Sequence, residues 1–179
     1  MRDATYRSAK ESGMSVKDAA AMQFDIESVV RGDEGEAGVE RVRKFLAGMQ
    51  FMTNPRDFGN KLFKVRTAFG KDETGGVENI ADKIFSAAQA SSLNSMELMD
   101  AVSQTATEAR AIGGSDEELM AVLAAVGQGS KSPEIAATKV RSLLSFAASP
   151  KRNMQGGIMD VVRQISEKGG RNYIGDNTE

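Results

Sequence analysis

The stretch that most constrains this chain is AIGGSDEELMAVLAAVGQGSKSPEIAATKVRSLLSFAASP, residues 111–150, which carries the start and stop signals of two helices with little between them. Ser115 stands as an N-cap, Asp116 and Glu117 follow in the first turn, and Glu118 sits where it closes a capping box. Leu119, Val122, Leu123 and Val126 fall at i, i+3, i+4 and i+7, one apolar stripe along a helix. Gly127 and Gly129 offer the permissive backbone a helix C-terminus uses. Ser132 caps the next helix, and Pro133 takes its first position, where a missing N–H costs nothing. Ala136, Val140, Leu143, Leu144 and Ala147 form the second stripe, and Pro150 stops it. Such a pair of segments folds back as a helical hairpin.

The rest of the chain repeats that wording loosely. Residues 1–12 are polar with a weak helical pattern, ended by Gly13. Ser15 caps a helix whose apolar face is Ala19, Met22, Ile26, Val29 and Val30. RGDEGEAG, residues 31–38, is the most loop-like stretch and marks an internal hinge. Its Arg-Gly-Asp tripeptide is a chance match on a loop. Val42, Phe45, Leu46 and Met49 mark a third helix ending near Thr53. Asn54-Pro55 opens a fourth, lined by Phe58, Leu62, Val65 and Phe69. Gly70, Gly75 and Gly76 break it. Val77, Ile80, Ala81, Ile84, Phe85 and Ala88 form the cleanest periodic run. Ser95 caps the next helix, faced by Leu98, Met99, Val102, Ala106 and Ala109. After Pro150 a basic link, KRNMQGG, leads to a last helix bearing Ile158, Val161, Val162 and Ile165. No alternating run bounded by hairpin turns appears anywhere. The expected fold is therefore all-α, an array of antiparallel helical hairpins without significant β-sheet. It divides into an N-terminal hairpin region (1–53), a main helical region (54–168) and a patternless tail (169–179).

Composition narrows the chemistry. The chain has no histidine and no cysteine, which removes Ser-His and Cys-His nucleophiles, thiolate metal sites and disulfides. Asp116, Glu117 and Glu118 are acids a helix N-terminus attracts without catalysis. No acid falls on an apolar face, where a raised pKa would suit general acid work. GQGSKS, residues 127–132, lacks the spacing of a phosphate-binding loop and follows a helix rather than a strand. Lys151, Arg152, Arg163, Lys168 and Arg171 make the C-terminal end modestly basic, as a solvated face or, alternatively, a contact for an acidic partner. A net charge of -2 leaves no footprint for nucleic acid, and no apolar run approaches a membrane span. The ten methionines, among them Met96, Met99, Met120, Met154 and Met159, read as core gap-fillers where they fall on apolar stripes, with an adaptable binding surface as the alternative. The residues predict no enzyme, cofactor or metal site, only structural caps and turns: Ser115, Glu118, Gly127, Gly129, Ser132 and Pro133.

The order of these segments resembles a family. Ala109, Gly113, Ser115, Glu117, Glu118, Leu119, Ala121, Leu123, Ala124 and Gly127, followed by Glu134, Ala136, Thr138, Arg141 and Leu144, are similar to a pattern in the tail tape measure proteins of bacteriophages and prophages. AFGKDETGGVENIADKIFSAAQASSLNSMELMDAV resembles the segment that precedes it there. The resemblance covers roughly residues 55–168, with a fainter echo in SGMSVKDAAAMQFDIESVVRG. It implies a structural tail protein that sets tail length from within the tail lumen, in several copies. Its implied partners are tail-tube, tail-tip and tail assembly chaperone proteins, with self-association in the tail. Its implied location is the virion, or the host cytoplasm during assembly. Because that family's proteins are much longer, the resemblance also implies a piece of a larger protein or a prophage remnant. A helical adaptor module that holds a partner helix in an apolar groove is the competing expectation. A peptidoglycan-cleaving domain, carried by some tape measure proteins, is a third.

Overall fold

The computed structural model describes residues 13–49, 54–70, 74–130, 132–149 and 156–167, with residues 6, 9, 10 and 154. Among them lie seven helices and no strand: α1 (Val16–Gly48), α2 (Pro55–Phe69), α3 (Val77–Gln89), α4 (Ser95–Ala111), α5 (Asp116–Gln128), α6 (Pro133–Ala148) and α7 (Ile158–Glu167). The expected helix end near Thr53, the stop at Pro150, the basic Lys151, Arg152, Lys168 and Arg171, and the tail from Gly169 lie outside the described residues.

Local chemistry starts most of these helices. Ser15 Oγ accepts the Asp18 N–H at 3.1 Å, and Asn54 Oδ1 accepts that of Asp57 at 3.1 Å. Before α4 the cap is Asn94 rather than Ser95, which becomes the first helical residue. Asn94 Oδ1 accepts the Glu97 N–H at 3.0 Å and the Asn94 N–H donates back to Glu97 Oε2 at 2.8 Å. Asparagine and serine cap equally well, and only Asn94 has a glutamate three residues on to reciprocate.

Helix α4 is the hub. It packs most extensively on α2 and α6 and also touches α3 and α5, while α7 meets the body chiefly at α5. One apolar cluster runs from Met22 to Ile165. Phe58 of α2 and Phe85 of α3 stack with centroids 5.9 Å apart. Met22, Met49, Met99, Met120 and Met154 are buried in this cluster, whereas Met159 is exposed. Val162, expected on the buried face of α7, is also exposed. Ile158, Val161 and Ile165 already define that face, and Val162 falls on its rim.

Residues 31–38 are not a loop. They are helical within the 33-residue α1, with one break, at Gly35 (φ 64°, ψ -163°), a region open essentially to glycine alone. At that break the chain turns back. Asp25 pairs with Arg56 at 3.0 Å, and Leu46 lies so close to Gly59 that a Cβ there would sit 2.9 Å from Leu46 Cδ1. Arg56 and Gly59 are about 4.5 Å apart along α2, whereas Asp25 and Leu46 would be about 32 Å apart on a straight helix. Residues 16–34 thus run alongside α2 and residues 36–48 return beside it. Arg66 closes the turn: Nη1 donates to the Val29 carbonyl at 2.9 Å, and Nη2 to Asp33 Oδ2 and Glu34 Oε1 at 3.0 Å each. Glu34 also pairs with Arg41, which donates from Nε to Glu78 at 2.8 Å. Asp33 therefore serves a helix junction rather than a displayed tripeptide.

Further along α1, buried Arg43 donates to Glu40 from Nε at 2.9 Å and from Nη2 at 2.7 Å. This two-pronged bond overcomes partial desolvation and, with the charges of Arg43 and Lys44, lowers the Glu40 carboxyl from 4.5 to about 2. A depressed pKa contributes stability above the unfolded value, and that contribution is lost as pH falls through about 2. A carboxyl-carbon NMR titration should place the Glu40 midpoint near 2; a midpoint at its ordinary value would mean the bond does not form in solution.

Candidate functional site

The residues singled out as caps and turns divide between the two ends of α5, with Ser115 and Glu118 at its start and Gly127, Gly129, Ser132 and Pro133 at its end. Ser115 Oγ accepts the Glu118 N–H at 3.1 Å, and the Ser115 N–H donates to Glu118 Oε2 at 3.2 Å. Glu118 does more than close this box. The same Oε2 accepts the N–H of Ile158, the first residue of α7, at 3.1 Å. One carboxylate thus satisfies orphan donors of two helix starts. Gly157 makes the approach feasible: its φ is 93°, and a Cβ there would lie 2.6 Å from Glu118 Oε2. The Gly157 N–H in turn donates to the Ile112 carbonyl at 3.2 Å.

Asp116, expected on a polar face, is buried, with 1% of its surface exposed. Its Oδ2 takes a hydrogen bond from Lys83 Nζ of α3 at 2.9 Å, and Lys83 also pairs with Glu117 at 2.9 Å. Burial disfavours the Lys83 charge, but the hydrogen bonds to Glu117 and Asp116 outweigh it and raise its pKa above the ordinary lysine value. Lys83 and Glu117 stand at one end of an open groove of about 510 Å³ between α3 and α5, with Ala87, Ala90, Ala121 and Ala124 along it. At the other end Gln128 Nε2 donates to the Ala90 carbonyl at 2.7 Å.

The turn from α5 to α6 departs from expectation. Neither Gly127 nor Gly129 adopts positive φ. Gly127 is still helical, and it is small for a tertiary reason. A Cβ there would meet Leu93 Cδ1 at 2.9 Å and Ser91 Oγ at 3.0 Å, and Ser92 Oγ donates to the Gly127 carbonyl at 3.0 Å. Gly129 is the C-cap at φ -101°, with open space where a Cβ would point. Ser132 Oγ accepts the Ile135 N–H at 3.3 Å, Pro133 holds the first position of α6, and a hydrogen bond with Ser132 lowers the Glu134 pKa.

Nothing local to Glu118 announced its second role. The only signal was the glycine pair Gly156-Gly157 ahead of an apolar run, a segment able to bring a backbone close to a side chain. Ser115→Ala should cost about 1 kcal/mol, whereas Glu118→Ala strands two backbone donors and should cost about 2–3 kcal/mol. Denaturant midpoints compare them; a Glu118 variant no worse than the Ser115 variant would show that the bond to Ile158 contributes nothing.

The polar groups described above cap a helix, pair within one or fix one helix to another, and among the described residues no cluster of three or more His, Cys, Asp or Glu is placed to hold a metal ion. The described residues form an all-α fold whose polar side chains cap and brace its helices. The sequence matches the family described as phage-related minor tail protein over residues 2–169, and the chain belongs to that family. Its role is accordingly structural, in a phage tail. No curated protein and no solved structure matches the chain. Among the described residues no helix is long and apolar enough to cross a membrane.

Proposed function

We propose that this chain is a segment of a tail tape measure protein, acting in tail assembly and tail length determination. The observation that carries the reading is the family match over residues 2–169, together with the ordered series of capped helices inside it that resembles the tape measure pattern. In this reading residues 54–168 form the main tape-measure region and residues 1–53 an N-terminal hairpin region. The role is mechanical rather than catalytic. Its partners are the tail-tube, tail-tip and tail assembly chaperone proteins, met first in the host cytoplasm and then in the virion.

Helices joined by short turns suit a part that changes length. Folded back as hairpins, they make a short body; opened at the turns after Gly113 and Gly127, they form a rod rising about 1.5 Å per residue. An in-frame deletion of residues 54–168 from the parent gene should shorten tails by about 170 Å on that rise, measured by electron microscopy. Tails of unchanged length would remove the measuring role and leave tail membership intact.

A further inference from the structure

The reversal at Gly35 is built from residues that a straight helix would not require. Gly35 needs its positive φ only in the turned-back form, and its Cβ position faces open space. A Cβ on Gly38 would overlap Glu34, whereas in a straight helix side chains four residues apart clear each other at about 5–6 Å. The apolar pattern changes phase at the same place. Ala19, Met22, Ile26 and Val30 form one buried stripe and Val39, Val42 and Leu46 another. From Val30 to Val39 a helix advances roughly 900°, half a turn out of phase. On a straight α1 the two stripes would therefore face opposite sides, and one body could cover only one of them.

Phe24 adds an independent observation. It is 73% exposed here, with no apolar role in the turned-back form. On a straight α1 it stands eighteen residues, about five full turns, before Val42 and joins the second stripe.

We propose that Gly35 is the hinge of an exchange between two copies of this chain. Straightened, α1 becomes one rod of about 50 Å, with residues 36–48 on their own body and residues 16–34 seated on α2 of a second copy on the opposite side. The seat is the one each copy vacates. Asp25 meets the second copy's Arg56, Val29 and Asp33 meet its Arg66, and the stripe from Ala19 to Val30 is reburied unchanged. Such an exchange opens one turn and makes no new core. It needs no other tail component, so the purified chain tests it whether or not the measuring role stands.

The test is the full chain carrying Gly35→Ala and Gly38→Ala. Alanine is the better helix former at both positions and penalises only the reversal, so the dimer association constant should rise on the order of 10²–10³-fold, read by sedimentation equilibrium. Because the chain has no cysteine, Asp25→Cys and Arg56→Cys supply a unique pair for a short bismaleimide. On a denaturing gel the exchanged form gives a covalent dimer and the turned-back form a cross-linked monomer. A variant that stays monomeric, folded or unfolded, overturns the proposal, because a straight helix accepts alanine at both sites. A dimer whose cross-links remain within one chain overturns it equally.

Discussion

Leu123→Ala is expected to destabilise the chain by about 2–5 kcal/mol, as a fully buried leucine truncated on α5. Leu123 has no exposed surface and belongs to the one apolar cluster, so its loss removes buried methyl groups and leaves a cavity between helices already fixed by caps. For a chain of this size each kcal/mol lowers the melting temperature by about 2–4 °C. Chemical and thermal unfolding of the variant should therefore shift well beyond that of Ser115→Ala, which loses only a cap. If the order is reversed, the stripe from Leu119 to Val126 does not form the core in solution.

Lys83→Met should come next, at about 3 kcal/mol. Asp116 is 1% exposed, and its partners are Lys83 Nζ at 2.9 Å and the Glu117 N–H at 2.9 Å. Without the lysine, the buried carboxylate keeps one neutral donor and no opposite charge among the described residues. Adding Asp116→Leu to the same chain should restore much of the loss, since an apolar pair often matches a buried ion pair. The Lys83 pKa is raised, so its contribution is complete below the ordinary lysine value and fades as pH climbs past the raised one. A single variant that unfolds with the unaltered chain, or a double variant that is worse than the single, would show that the pair is solvated and adds nothing.

What the sequence disclosed follows from range. A cap is made by atoms three residues apart, so Ser15, Asn54, Ser115 and Ser132 announce their helices wherever the chain goes. Asn94 and Ser95 look alike one residue at a time, and Glu97 decides between them. Tertiary roles carry no such local mark. The burial of Asp116 depends on Lys83, thirty-three residues earlier, and the second duty of Glu118 on Ile158, forty residues later. Gly127 looked like a terminator because glycine commonly ends helices, yet its smallness answers to Leu93. The glycines of residues 31–38 suggested a loop, and here the misreading was avoidable. The half-turn slip between Val30 and Val39 is visible in the sequence and says that the two helices read on either side meet at a single break rather than across an eight-residue loop.

The position of α4 among the helices has a consequence for how the protein comes apart. Its amides are covered on several sides by α2, α3, α5 and α6, so they can exchange with deuterated solvent only when the whole chain unfolds. Helix α7 rests chiefly on α5 and is clasped at its start by one carboxylate, which lets it lift away alone. Protection factors should therefore rise inward from α7 to α4 in separable steps, so that an end can detach in native buffer while the centre holds.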